Sequence, residues 1–327
     1  MCVLVLLAGC NRATEQRVEA THAALQQPAS STVTIGEADL TLADSSIVLQ
    51  AGWGSGAGEL GKRDEGARPG PMSLAVADDG SLLVLDQVNR RVVRYAGGQL
   101  QGALPIAAET TEDIAIEGDH LWTLVYEPGE SPGYRVERYP LTARGAPVQH
   151  VLDRSFQLVT GLFVDGRDVW VEMEHDVQRR VVRQGVVDRQ GRPELGRPDR
   201  AGRGFRLSAL RAGTHQARVH RVVPGDGVYP LLVVQTVRPL VGIQALETDA
   251  KGRIFLGVVT GEEGEAPHSL LLVADGSGSL VIELSGKRVT EAFRPLAVGP
   301  DGSVYELETS EEGVTVRRFA LPGGGGQ

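Results

Sequence analysis

The sequence predicts an all-β fold of the propeller type, and three observations carry that prediction. A unit made of a short apolar strand, an Asp-Gly or similar turn, a second apolar strand, a polar loop and a third strand rich in Val and Arg recurs five times. Hydrophobic residues make up 41% of the chain but Phe and Tyr number only six each, so the core rests on Val, Leu and Ile, which favour strands. The apolar stretch SSIVLQAG at 45–52 precedes the first full unit and belongs to no unit of its own.

The five units run SLAVADDGSLLVLDQVNRRVVRY (73–95), DIAIEGDHLWTLVYEPGESPGYRVERY (113–139), TGLFVDGRDVWVEMEHDVQRRVVRQ (160–184), QALETDAKGRIFLGVVTGEEGEAPHSLLLVAD (244–275) and RPLAVGPDGSVYELETSEEGVTVRRFAL (294–321). Each centres on a hairpin signal in which Gly supplies the positive φ of a tight turn. Starts at 73, 113, 160, 244 and 294 are about 40 to 50 residues apart, except for the gap after 160, which has room for a sixth, degenerate copy. That period with several strands per unit is a propeller signature, because each blade exposes apolar faces that only its neighbours cover. The last unit stops after its third strand. Residues 46–50 are therefore expected to supply its outer strand, so that the two ends of the chain close six blades together.

The first unit with its lead-in, WGSGAGELGKRDEGARPGPMSLAVADDGSLLVLDQVNRRVVRY (53–95), resembles the NHL repeat: a Gly-rich lead-in, Pro before the inner strand, an Asp-Gly turn and D-x-x-N-x-R-V. The other copies keep the strand pattern and lose the Asn. The resemblance implies a six-bladed propeller. Asp86 and Asn89 are expected to bond backbone groups of their own turn, with Arg91 leaning on the adjacent blade.

Both cysteines, Cys2 and Cys10, lie in the first ten residues, which leaves the body without a disulfide or a thiolate metal site. Leu7, Ala8, Gly9 and Cys10 end the apolar run VLVLLAGC and resemble the lipobox of bacterial lipoproteins. That resemblance implies cleavage before Cys10, diacylglycerol on its sulfur and, with Asn11 rather than Asp following, the outer membrane, facing the periplasm or the cell surface. Residues 1–9 are then a signal peptide, truncated at its start, since only nine residues without Lys or Arg precede Cys10. Acyl chains contribute about 0.8 kcal/mol per buried CH₂, so two or more hold a protein on a membrane without a spanning helix. No apolar run reaches the roughly 18 residues of such a helix. The polar, Ala- and Gln-rich stretch 10–35 is expected to be a flexible lipidated tether, 36–322 the propeller and 323–327 a disordered tail.

A net charge of −9 excludes a nucleic-acid binder, whose affinity comes from a basic surface. In propeller topology the entry to each inner strand and the loop between its second and third strands share one face, the top. Acids recur in those loops: Asp86, Glu127, Glu130, Glu174, Asp176, Glu262, Glu263, Glu265, Glu308, Glu311 and Glu312. They predict a negative rim that steers cations or basic partners. Residues 176–221 hold twelve arginines against four acids, and RQGRPELGRPDRAGRGFR (189–206) suits an exposed insertion able to dock a partner.

None of the seven histidines has a short metal-ligand spacing, and no G-x-S-x-G elbow or P-loop occurs. By the family resemblance, propeller lyases and lactonases hold zinc or calcium near the inner-strand entries. Here the entries offer Met72 and Ser73, Glu112 and Asp113, Thr160, Gln244, and Arg294 with Pro295. Only Glu112 and Asp113 resemble hard-cation ligands, and calcium needs six to eight oxygens. No catalytic residue, metal site or cofactor is assigned, and the two carboxylates alone do not support a calcium site. Glu112, Asp113 and Arg294 are the candidate ligand-binding residues. The expected function is an envelope-anchored binding or scaffold module that meets an envelope protein or a small ligand at the top face. The alternative is a divalent-cation-dependent hydrolase or lyase on the propeller axis.

Overall fold

Six β-sheets, and no helix, make up the secondary structure of the residues described in the computed structural model: 31–36, 40–41, 45–66, 68–141, 146–174, 176–199, 204–249, 251–275 and 278–321. Cys10, the signal peptide, most of the expected tether and the tail lie outside them. The sheets are the blades of an all-β, six-bladed propeller, and the chain forms two compact units.

The larger unit holds the first, second, third and sixth blades. The first is Pro71–Val76, Leu82–Asp86, Arg91–Ala96 and Gln99–Pro105. The second is Thr111–Glu117, His120–Glu127, Gly133–Pro140 and Val148–Val151. The third is Val159–Asp165, Asp168–Met173, Val177–Arg183 and Val186–Val187, with Pro193–Leu195 also paired to Val177–Arg183. The sixth is Leu296–Val298, Val304–Thr309, Val314–Phe319 and, as its outer strand, Ser45–Ala51. That last pairing is antiparallel, with Val316 opposite Leu49 and Arg317 opposite Ile47, as the orphan strand at 46–50 predicted.

Alternation along each strand feeds two cores at once, because successive side chains point to opposite faces. In the first blade Leu74, Val76, Val84 and Val93 pack with Leu49, Leu307 and Val316 of the sixth, while Ala75, Leu83, Leu85 and Val92 pack with Ile114 and Leu121 of the second. Trp122, Leu124 and Val136 of the second meet Leu162, Val169 and Val171 of the third. Strands buried on both faces follow from this: every residue of Pro71–Val76 and Leu82–Asp86 is buried.

The hairpin turns repeat in chemistry as well as in place. Gly80 and Gly302 sit at φ 77° and 76°, where residues with a side chain are strained. Beside them the Asp79 and Asp301 carboxylates accept the N–H of Ser81 and Ser303 at 3.0 and 2.9 Å. Arg94 and Arg318, from the third strands, then donate to those same carboxylates at 2.6 and 2.7 Å.

The smaller unit holds the fourth blade and most of the fifth. The degenerate copy in the gap is real: Arg206–Arg211, Gln216–Val223 and Gly227–Thr236 form the fourth blade, flanked by Arg197–Pro198 and by Ser31–Ile35. The fifth is Leu240–Thr248, Ile254–Thr260, His268–Ala274 and Ser279–Glu283, with Leu40–Thr41 at its edge. Leu207, Val219 and Val234 of the fourth share one core with Leu256 and Leu272 of the fifth.

Three expectations need correction. Ser31–Ile35, placed in the tether, is a strand paired parallel to Leu232–Thr236, because its alternation sends Val33 and Ile35 onto the core. The stretch 189–206 is not wholly an exposed insertion: Arg197 and Arg206 are buried, and Pro193–Leu195 and Arg197–Pro198 are strands. Arg91 leans not on an adjacent blade but on its own lead-in, donating to the carbonyls of Gly56 at 3.0 Å and Glu59 at 2.8 Å.

Candidate functional site at the inner-strand entries

A bulge opens each of the first three inner strands, and it sets what reaches the entry. The register slips between Pro71 and Ser73, between Thr111 and Asp113, and between Val159 and Gly161, so Met72, Glu112 and Thr160 are the extra residues. Bulges re-aim side chains at strand ends. Here they turn Ser73 and Asp113, each the residue after its bulge, toward one another.

Asp113 is wholly buried and gathers four donors: Ser73 Oγ at 2.6 Å, the N–H groups of Ile114 and Leu162 at 2.8 Å each, and Arg294 Nη2 at 2.5 Å. Burial pushes its carboxyl up, and the guanidinium, the hydroxyl and the two amides pull it back. Four donors on two oxygens use the acceptor capacity of the ionised form. Arg294 also donates to the Leu162 carbonyl, reaches the Ile114 carbonyl at 3.5 Å and stacks 4.7 Å from the Phe163 ring. Its backbone joins the first blade through the N–H of Leu74, which donates to the Arg294 carbonyl at 3.1 Å. Asp113 and Arg294 thus latch four blades of the larger unit together, and their polar groups are largely spent on one another and on backbone.

Glu112 is different. It is half-buried, and among the described residues no hydrogen bond or ion pair reaches its carboxyl. Burial first, and the Asp113 charge second, push that carboxyl up to about 7.

At the same end of the second blade a cavity of about 430 Å³ opens between the loop joining its second and third strands and the connection to the third blade. Tyr126 and Tyr134 stand opposite each other in the ladder, their rings 5.4 Å apart and tilted by 57°, and both line it together with Pro132, Arg154, Phe156 and Leu158. Burial, then the charge of Glu112, pushes the Tyr134 phenol up to about 12. The tyrosines were not singled out in the sequence. Their signal is the symmetry of YEPGESPGY, with one ring at each end of a polar loop.

The acidic rim is neutralised in part. Of its eleven acids, Asp86, Glu127, Glu265, Glu308 and Glu311 pair with Arg91, Arg135, Arg238, Arg317 and Lys62. Among the described residues no three His, Cys, Asp or Glu side chains are grouped so as to hold a metal ion.

The class of protein is set by these features: an all-β, six-bladed propeller with its candidate groups at the inner-strand entries. No family model matches the chain, and no curated protein does. Among solved structures it is similar in fold to an oxidoreductase (glucose dehydrogenase) from Thermus thermophilus, at 16% identity, TM-score 0.51, covering 85% of this chain and 100% of that one. It also matches the soluble aldose sugar dehydrogenase of Escherichia coli at 12% identity, TM-score 0.45, with 84% and 99% covered. A streptogramin B lyase matches at 9% identity, TM-score 0.44, with 85% and 98% covered.

Proposed function

We propose that this chain is an envelope-anchored binding module that presents its inner-strand entries to a partner, with Glu112 as the contact group and Cys10 as the lipid attachment point. One observation supports the entry site above all. Asp113 and Arg294 satisfy each other, whereas Glu112, one residue away, holds a half-buried carboxyl without a partner among the described residues. A carboxylate in that setting gains when a cation docks, because the counter-charge offsets its lost hydration. A basic side chain of an envelope protein, or the cationic group of a small ligand, fits that need. The net charge of −9 favours such a partner over nucleic acid. The outer-membrane location rests on Cys10 and Asn11 and their resemblance to lipoprotein signals.

The alternative, a divalent-cation hydrolase or lyase on the axis, has less support, since both oxygens of Asp113 are already occupied by protein donors. Thermal shift on the purified chain separates the two, because a ligand that binds only the folded state raises the midpoint. A short oligolysine peptide should raise it for wild type and not for Glu112→Gln. A rise with calcium or zinc that Glu112→Gln and Asp113→Asn abolish, with no response to the peptide, would favour the cation enzyme instead.

A further inference from the structure

Apart from Glu112, the cavity beside it has a chemistry of its own. Its floor is aromatic and rigid: Phe156 is buried, and the Arg179 guanidinium lies 4.5 Å from its ring, itself fixed by Asp153 at 2.8 Å and by the Gly191 carbonyl at 2.8 Å. Tyr126 and Tyr134 add two half-exposed rings, and no hydrogen bond among the described residues reaches either phenol.

The rim is polar, but its charges cancel. Glu130 and Arg154 carry one charge of each sign and Gln157 carries none. Carboxylate, guanidinium and carboxamide are all planar groups that can engage two neighbouring hydroxyls at once. Arg154 makes one contact, to Ser131 Oγ at 3.2 Å, while Glu130 and Gln157 make none among the described residues.

Leu158 closes the rim in a conformation that needs holding. Its φ is 49°, in the left-handed region that disfavours a side chain of this size, and the N–H of Glu174 donates to its carbonyl at 3.0 Å. The side chain is 70% exposed. Backbone strain of this kind concentrates where a ligand is clamped.

We infer that this cavity binds a neutral saccharide unit, stacked by one CH face on Tyr126 and Tyr134, with vicinal hydroxyls bridged by Glu130, Arg154 and Gln157. A cavity of about 430 Å³ admits one or two sugar rings and falls within the usual range for small-molecule sites. An ionic ligand fits less well, since it would meet one rim charge of its own sign. The bound sugar need not engage Glu112.

Saturation-transfer NMR on the full-length chain in detergent micelles tests this. The probes are cellobiose and N-acetylglucosamine, with choline and glucuronate as charged counterparts. The neutral sugars should receive saturation on ring protons with millimolar affinity, and Tyr134→Ala should weaken binding about tenfold or more. Tyr134→Phe, which keeps the ring, should retain it. Arg154→Gln keeps a planar hydrogen-bonding group without the charge and should stay within about threefold of wild type, whereas Arg154→Ala should not. No transfer to either neutral sugar, or binding of a charged probe alone that Arg154→Gln abolishes or Tyr134→Ala leaves intact, would overturn the assignment.

Discussion

Asp86 shows how one side chain can organise a repeat. It is fully buried, accepts the N–H of Gly61 at 3.0 Å and the Asn89 side-chain amide at 2.8 Å, and pairs with Arg91 at 2.9 Å. Arg91 and Asn89 in turn hold the carbonyls of the Gly-rich lead-in, Asn89 donating to that of Gly54 at 2.8 Å. Asp86→Ala would take the counter-charge from the part-buried Arg91 guanidinium and one of two acceptors from the Asn89 amide, and should cost about 3 kcal/mol in urea unfolding. Asn89→Ala should cost about 1 kcal/mol. A loss for Asp86→Ala no larger than that for Asn89→Ala would remove the carboxylate from its central role. Glu112 makes a different prediction. Its carboxyl titrates near 7 in the folded chain and in the ordinary carboxylate range when unfolded, so between those values the folded state binds the extra proton. Its contribution is fully present below the unfolded value and is lost as pH rises through about 7. Glu112→Gln should therefore match wild type in acid and exceed it at pH above 7, a divergence readable in denaturation midpoints across the range.

Among elements, Ser45–Ala51 matters most, because it finishes a blade whose other three strands lie some 250 residues later in the chain. Leu49 is 2% exposed and packs with Leu307, Val314 and Val316 on one side and residues of the first blade on the other. Leu49→Ala should lose about 3 kcal/mol through the cavity it leaves. Ile47, half-exposed on the same strand, should tolerate alanine with little change. Equal effects at the two positions would mean that the strand is not seated in this register. The bulges at the inner-strand entries are the second element-scale device, since a ladder without them would send Asp113 to the opposite face, away from Ser73.

For the whole molecule, the proposed lipid anchor sets where the propeller works. Cys10→Ser should abolish palmitate incorporation and leave the chain extractable from membranes by carbonate. Persistent labelling of Cys10→Ser would refute lipidation at that sulfur. No helix among the described residues is long and apolar enough to cross a membrane.

The repeat and its turns were readable from the chain alone because they are local. Period-two alternation and Asp-Gly hairpins act within a few residues, so blade strands and even the orphan outer strand at 46–50 could be read without a structure. The degenerate fourth blade was visible only as a gap, since the turn between its first two strands, AGTH at 212–215, lacks the Asp-Gly signal, and Ser31–Ile35 looked like tether because its apolar residues are few. At the entries, sequence pointed to Glu112, Asp113 and Arg294 as residue types in one topological place. Which of them are spent and which is open depends on contacts spanning 181 residues, such as Arg294 to Asp113. The aromatic cavity belongs to the same category. Ionisation, hydrogen-bond saturation and concavity arise only when distant segments meet in a low-dielectric setting, so those properties belonged to the tertiary structure alone.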